Sequence, residues 1–353
     1  MKLNEHPLYA EDVARVAALP LPWEKMAGKA LLLSGATGQV GRFLTDVMMR
    51  KNAEGLGCRV YALGRSKEKA NATLGDYFGN PMFTFVAADI NRALDCDAQV
   101  GTADFVLHLA SNTHPLAYAT DPIGTVMANV VGTANMLEFA LHHGAGRCTF
   151  ASSNEIYGEN RRDTEFFAED YCGYINCNTM RAGYPESKRC GEALCQAYIA
   201  QKGMDIVIPR LTRTYGPTLL ASDTKAISQF LHKGVAGEDI VLKSSGTQYY
   251  SYTYVSDAVS GLLYTLLLGE KGEAYNIADP KGDIMLKDLA AVIAVIAGKK
   301  VVFELPDAVE ASGYSKATKA RLDGSKLRGL GWECHYDMQS GLERTVRLLK
   351  ETV

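Results

Sequence analysis

The chain has no C-x-x-C pair, although eight cysteines are spread over its 353 residues. Scattered thiols without ligand spacing argue against a zinc site and against a disulfide framework; they fit a cytoplasmic protein that binds no metal. No apolar run approaches the roughly 18 residues that a membrane-spanning helix needs. The stretch Met1 to Leu19 carries Glu5, Glu11 and Asp12 and lacks the apolar centre of a secretion signal. Charge of one sign is also missing. A formal net charge of −3 gives no reason to expect nucleic acid or a membrane surface as a partner. There is no repeat and no low-complexity tract. What remains is 47% hydrophobic and 22% charged, ordinary for a globular chain long enough for two lobes or one large α/β unit.

Residues 1–26 read as a helical extension. Tyr9 to Leu19 is amphipathic, Pro20 and Pro22 end it, and Trp23 is expected to pack the arm onto the body. No chemistry is visible in it. Lys29 to Ser34 is a short apolar run suited to a buried parallel strand. It leads directly into Gly35-Ala36-Thr37-Gly38-Gln39-Val40-Gly41 and then an apolar-periodic helix. Glycines three apart at a strand-to-helix turn let backbone N–H groups approach a pyrophosphate, so this stretch predicts a dinucleotide site.

The second strand, Arg59 to Leu63, should end at the residue that reads the adenosine ribose. An acid there favours NAD. The chain has Gly64-Arg65-Ser66 instead. Arg65 either neutralises a 2′-phosphate or stacks on adenine, so NAD and NADP both stay open. Further strands are expected at Phe83–Ala87, Phe105–Leu109, Cys148–Ser152 and Ile206–Arg210. Asp89 and Ile90 follow the first of these as an adenine clamp. Leu109, Ala110 and Ser111 follow the second, small enough for close passage of the cofactor, while His108 reads as a packed core histidine. A helix is expected to open at Asn129. Strands alternating with helices predict an α/β chain: a Rossmann, doubly wound parallel sheet over 27–210, then a smaller α/β substrate-binding lobe over 211–353. Asn276-Ile277-Ala278 is expected to return to the sheet from that lobe.

Tyr184 and Lys188 are four apart, on one face of a helix. An ammonium beside a phenol favours the phenolate, which makes a proton acceptor for oxidation of a secondary alcohol. Upstream, Ser152-Ser153-Asn154-Glu155 follows the fifth strand.

Together these residues resemble the extended short-chain dehydrogenase/reductases, the group of nucleotide-sugar epimerases and dehydratases. The resemblance runs from residue 28 to 353. It is carried by Gly35-x-x-Gly38-x-x-Gly41, Asp89-Ile90, His108-Leu109-Ala110-Ser111, Asn129-x-x-Gly132-Thr133, Ser152-Ser153 before Ile156-Tyr157-Gly158, Tyr184-x-x-x-Lys188, Tyr215-Gly216-Pro217 and Tyr254-Val255-Ser256-Asp257. It implies an NAD(P)-dependent enzyme that transiently oxidises C4 of a nucleotide sugar. Tyr184 would be the base toward the 4-hydroxyl, and Lys188 would lower its pKa and hold the nicotinamide ribose. Ser153 would bind the same hydroxyl, and Asn129 would support the lysine through water. Many relatives dimerise through two helices, here those around Asn129–His142 and Tyr184–Gln201. Met136, Leu137, Ala140, Leu194 and Ala197 would serve that homodimer interface or the core.

Dehydratases of the group carry Asp-Glu after the serine or threonine, whereas this chain has Asn154-Glu155. An amide cannot supply a proton at neutral pH, which counts against a standard 4,6-dehydratase. The chain resembles the UDP-glucuronate decarboxylases more closely than the epimerases, through Glu155, Gly173-Tyr174-Ile175-Asn176 and Arg181 before Tyr184. It departs from them at Tyr250, where they have an arginine, and at Arg213, where asparagine is common. Arg213 is expected to replace the lost charge from the other side of the substrate pocket. A 4-epimerase, a dehydratase, an NADPH-dependent reductase and a non-catalytic dinucleotide-binding scaffold are the alternatives. The tyrosines between Ser244 and Tyr254 either stack on a base or sugar or pack the second lobe.

Overall fold

The computed structural model describes residues 1–304, 306–312, 314 and 318–352. Its strands are β1 (Ala30–Ser34), β2 (Arg59–Gly64), β3 (Phe83–Ala87), β4 (Phe105–His108), β5 (Arg147–Phe150), β6 (Ser152–Ser153) and β7 (Ile206–Leu211), followed by β8 (Arg213–Tyr215), β9 (Ile240–Leu242), β10 (Tyr249–Tyr254), β11 (Ala274–Ile277), β12 (Asp283–Met285), β13 (Val301–Phe303) and β14 (Lys319–Ala320). The main sheet runs β11-β7-β5-β4-β1-β2-β3, with β6 also pairing β7. Every one of these pairings is parallel. The order reverses between β1 and β4, where a doubly wound sheet opens a crevice at its carboxyl edge. β1 explains its own place: all five residues of ALLLS are buried, as a strand covered on both faces requires.

The helices are α1 (Pro7–Ala17), α2 (Gln39–Ala53), α3 (Lys67–Leu74), α4 (Pro115–Thr120), α5 (Pro122–His142), α6 (Gly183–Lys202), α7 (Ala226–Ala236), α8 (Val255–Leu268), α9 (Leu286–Ala297), α10 (Ala308–Ser312), α11 (Ser325–Arg328) and α12 (Met338–Glu351). The helix expected to open at Asn129 starts earlier, at Pro122. Asp121 caps it, its carboxylate accepting the Gly124 N–H at 3.0 Å, and Pro122 takes the first position. Asn129 therefore sits mid-helix. α5 and α6 pack side by side. Met136, Leu137 and Ala140 are buried in the protein's own core, whereas Ile123 and Met127 on the same helix are exposed.

A smaller sheet, β12-β10-β14 with β8 beside β10, stands over the crevice. β11 pairs β7 in register Asn276↔Arg210, so the later part of the chain returns to the main sheet. The N-terminal arm is built in firmly. Asp12 on α1 is buried and accepts hydrogen bonds from Tyr254 Oη at 2.8 Å, Tyr336 Oη at 2.5 Å and Arg344 Nε at 2.9 Å. Trp23 is buried, with the Lys51 ammonium 5.1 Å from its ring centre. Among the described residues no helix is long and apolar enough to cross a membrane.

Candidate active site

One cavity of about 510 Å³ runs along the carboxyl edge of the main sheet. At one end it is lined by Gly35, Thr37, Gly38, Gln39, Val40, Gly41, Arg65, Asp89 and Ile90. In the middle it meets Leu109, Ala110, Ser111, Ser153, Tyr184 and Lys188, and beyond them Asn154, Glu155, Arg181, Arg213 and Tyr250. The candidate residues read from the sequence thus line one continuous space, with the exception of Asn129, which is fully buried behind it.

The glycine turn is shaped for close approach. Gly35 has φ +74, and a Cβ there would lie 2.8 Å from the Ala110 nitrogen. A Cβ on Gly41 would overlap the Gly35 carbonyl oxygen. α2 begins at Gln39, immediately after the turn, so its free N–H groups open onto the cavity. These residues fit a dinucleotide pyrophosphate. Ile90 is fixed from behind: Gly132 of α5 leaves room for its side chain, and Asn135 Nδ2 donates to its carbonyl at 2.7 Å.

Tyr184 and Lys188 lie on the first turns of α6 and both are buried. The Ser153 hydroxyl lies beside the Tyr184 phenol, near enough to favour the phenolate. The expected fall in the Tyr184 pKa is not what the structure shows. Burial pushes the phenol up to about 12, against the opposing effect of the Ser153 hydroxyl. The Lys188 ammonium is turned to the Ala151 carbonyl at 2.8 Å, and burial holds the amine itself down to about 7. Asn129 does not touch the lysine. Its amide donates to Ser187 Oγ at 2.9 Å and its carbonyl oxygen accepts from Ser111 Oγ at 2.7 Å, which ties the loop after β4 to the turn that carries Lys188. His108 is a core histidine, buried with Nδ1 2.8 Å from Ser34 Oγ and held down to about 3 by burial and by Lys188.

Tyr118 on α4 was not legible from the sequence. Its ring stacks on Tyr184 with centres 4.6 Å apart. The Arg181 guanidinium covers the Tyr118 ring at 4.7 Å and pairs with Glu155 at 2.6 Å. Glu155, Arg181, Tyr118, Tyr184 and Ser153 therefore form one contiguous cluster of acid, cation, phenols and hydroxyl.

Arg213 and Tyr250 do not face each other across the pocket. β8 and β10 are neighbours, paired Arg213↔Tyr252, and the guanidinium carbon lies 3.6 Å from the Tyr250 ring centre. Arg213 Nη1 is buried and has no hydrogen-bond partner among the described residues. Tyr250, Tyr252 and Tyr254 are all buried.

Comparison with known proteins agrees with this architecture. Residues 31–278 match the model of the NAD dependent epimerase/dehydratase family. UDP-glucuronic acid decarboxylase 1 of Danio rerio is 30% identical over 319 residues, covering 90% of this chain and 72% of that protein. UDP-glucuronic acid decarboxylase 6 of Arabidopsis thaliana is 31% identical over 313 residues, covering 88% and 86%. In fold the chain is similar to a dTDP-glucose 4,6-dehydratase from Streptomyces venezuelae solved with NAD bound, with TM-score 0.79, 24% identity and coverage of 91% and 97%. It is also similar to UDP-glucuronic acid 4-epimerase from Bacillus cereus in complex with UDP-glucuronic acid and NAD, with TM-score 0.77, 22% identity and coverage of 92% and 99%. The chain belongs to the NAD dependent epimerase/dehydratase family of enzymes.

Proposed function

We propose that the protein decarboxylates a UDP-glucuronate-like nucleotide sugar by way of a transient C4 ketone. The observation that carries this reading is the Glu155–Arg181 pair, 2.6 Å long, stacked through Tyr118 onto Tyr184. A cation that close to the reacting centre suits a uronate carboxylate, and the similarity to UDP-glucuronic acid decarboxylases supports the same substrate class.

Tyr184 takes the proton of the sugar 4-hydroxyl as phenolate, a form that the positive charge of a bound oxidised dinucleotide would favour against the opposing effect of burial, and Ser153 orients the hydroxyl oxygen. The bound dinucleotide supplies a reversible hydride acceptor; Lys188 holds its ribose, and Asn129 fixes the turn on which Lys188 stands. A ketone at C4 is β to the C6 carboxylate, so the C5–C6 bond breaks with its electron pair delocalised into the ketone, and carbon dioxide leaves. Arg181 binds the carboxylate until it departs. Glu155, on the same side, serves the proton that C5 gains. Tyr184 then returns its proton to the C4 oxygen. Asn154 is buried and lines the cavity, and its amide cannot supply from that position the proton that expulsion of water needs. Arg213, braced on Tyr250, receives the negative charge of the nucleotide diphosphate.

The active form in this reading is a cytoplasmic homodimer joined through α5 and α6. Its support is the apolar surface of α5, where Ile123 is 77% exposed and Met127 lies one turn on, and the eight free cysteines. Turnover in deuterium oxide tests the chemistry. Decarboxylation leaves one solvent deuteron on C5 of a pentose product, whereas 4-epimerisation returns a uronate of unchanged mass with none. A deuterium-free uronate product overturns the decarboxylase reading.

A further inference from the structure

We infer that the adenosine end of the cavity is built to take a 2′-phosphate, so that the preferred dinucleotide is NADP rather than NAD. The inference rests on the reading of the glycine turn as a dinucleotide site. β2 ends at Gly64, and the turn into α3 reads Arg65-Ser66-Lys67-Glu68-Lys69. In a doubly wound sheet this turn meets the adenosine ribose. A free ribose diol asks it for a carboxylate acceptor, whereas a phosphate dianion asks for cations.

The turn offers cations. Arg65 and Lys69 both line the cavity. Neither side chain has an ion pair or a hydrogen bond among the described residues. Glu68 is the one acid in this stretch, and it is engaged elsewhere: Ser66 Oγ donates to its carboxylate at 2.8 Å, and Glu68 is not among the residues that line the cavity. Ser66 Oγ also accepts the Lys69 N–H at 3.1 Å, which caps α3 and holds the Lys69 stem on the cavity side. Asp89, a cavity-lining carboxylate after the neighbouring strand β3, accepts the Asn91 N–H at 3.0 Å. An unphosphorylated ribose would leave two cations at the cavity wall without a counter-charge and its diol without an acid on this turn. A 2′-phosphate satisfies both, with Arg65 able to meet two of its oxygens.

Equilibrium binding of NADP⁺ and NAD⁺ to the purified full-length protein, measured by titration calorimetry, tests this. The wild type is expected to bind NADP⁺ at least about tenfold more tightly than NAD⁺, the scale of one charge-assisted hydrogen bond. Arg65→Ala should weaken NADP⁺ about tenfold to hundredfold and NAD⁺ by less than about threefold, and Lys69→Ala should act in the same direction more weakly. Equal or tighter binding of NAD⁺ by the wild type overturns the inference. So does an equal loss of both dinucleotides in Arg65→Ala, which would mark Arg65 as a stacking residue. Failure of the wild type to bind either one overturns the dinucleotide reading itself.

Discussion

The Arg213 guanidinium lies over the Tyr250 ring, 3.6 Å from its centre, with one nitrogen buried and without a hydrogen-bond partner among the described residues. Arg213 and Tyr250, on the neighbouring strands β8 and β10, thus occupy one spot in the cavity wall. Burial raises the Tyr250 phenol and the guanidinium opposes that shift, so the two groups sense each other electrostatically. Arg213→Ala is expected to weaken UDP-glucuronate binding by about thirtyfold or more, since it removes a part-buried charge aimed at an anion. Tyr250→Phe keeps the ring face and should change affinity by less than about threefold. Calorimetric titration checks both; unchanged affinity in Arg213→Ala would remove this residue from the substrate site.

Tyr184→Phe should lower kcat by about a hundredfold to ten-thousandfold, the usual share of a positioned acid–base group. Dinucleotide affinity should stay within about twofold, because the ring and its stack on Tyr118 remain. A variant with normal turnover would assign the proton transfer to another group, Tyr118 being the first to consider.

Lys188 sets a pH signature on folding. Its amine titrates at about 7 in the folded chain against 10.5 ordinarily, because burial penalises the charge. Between those two values the unfolded chain binds a proton that the folded chain does not, so stability rises with pH across that window. Below it, the penalty for the buried ammonium is fully present. Lys188→Met should therefore be stabilised most, relative to wild type, at or below pH 7, and that advantage should shrink toward pH 10. Parallel thermal melts across this range check it; a difference independent of pH would contradict it.

Strands β1, β2, β3, β4, β5 and β7 were legible as short, largely apolar runs, as burial on both sheet faces demands, whereas the short and tyrosine-rich strands of the second lobe were not. The glycine turn was legible from its place between a strand and a helix, whereas Ser153, Tyr184 and Lys188 took their roles from the family resemblance, and all line one cavity. Tyr118 was not: α4 is six residues long, too short for periodicity, and only the fold brings its ring onto Tyr184. The start of α5 is written in Asp121-Pro122, a cap followed by a first-turn proline, which is a stronger helix-start signal than the mid-helix Asn129. The Tyr184 pKa could not be read from a four-residue spacing. It depends on how much water the packed Tyr118–Arg181–Glu155 cluster excludes, which is a tertiary property.

The N-terminal arm carries stability rather than chemistry. Asp12 accepts from Tyr254, Tyr336 and Arg344, and so clamps α1 to β10 and α12. Asp12→Ala leaves buried donors unpaired and should cost about 3–5 kcal/mol, read as a lower urea midpoint. Activity at low temperature should persist, since none of these residues lines the cavity.

The most direct test of the account is mass spectrometry of UDP-glucuronate after incubation with the purified protein and dinucleotide. Loss of carbon dioxide to give a UDP-pentose is the predicted result. Recovery of UDP-glucuronate with both mass and retention unchanged, or of an isomer at the same mass, would contradict it.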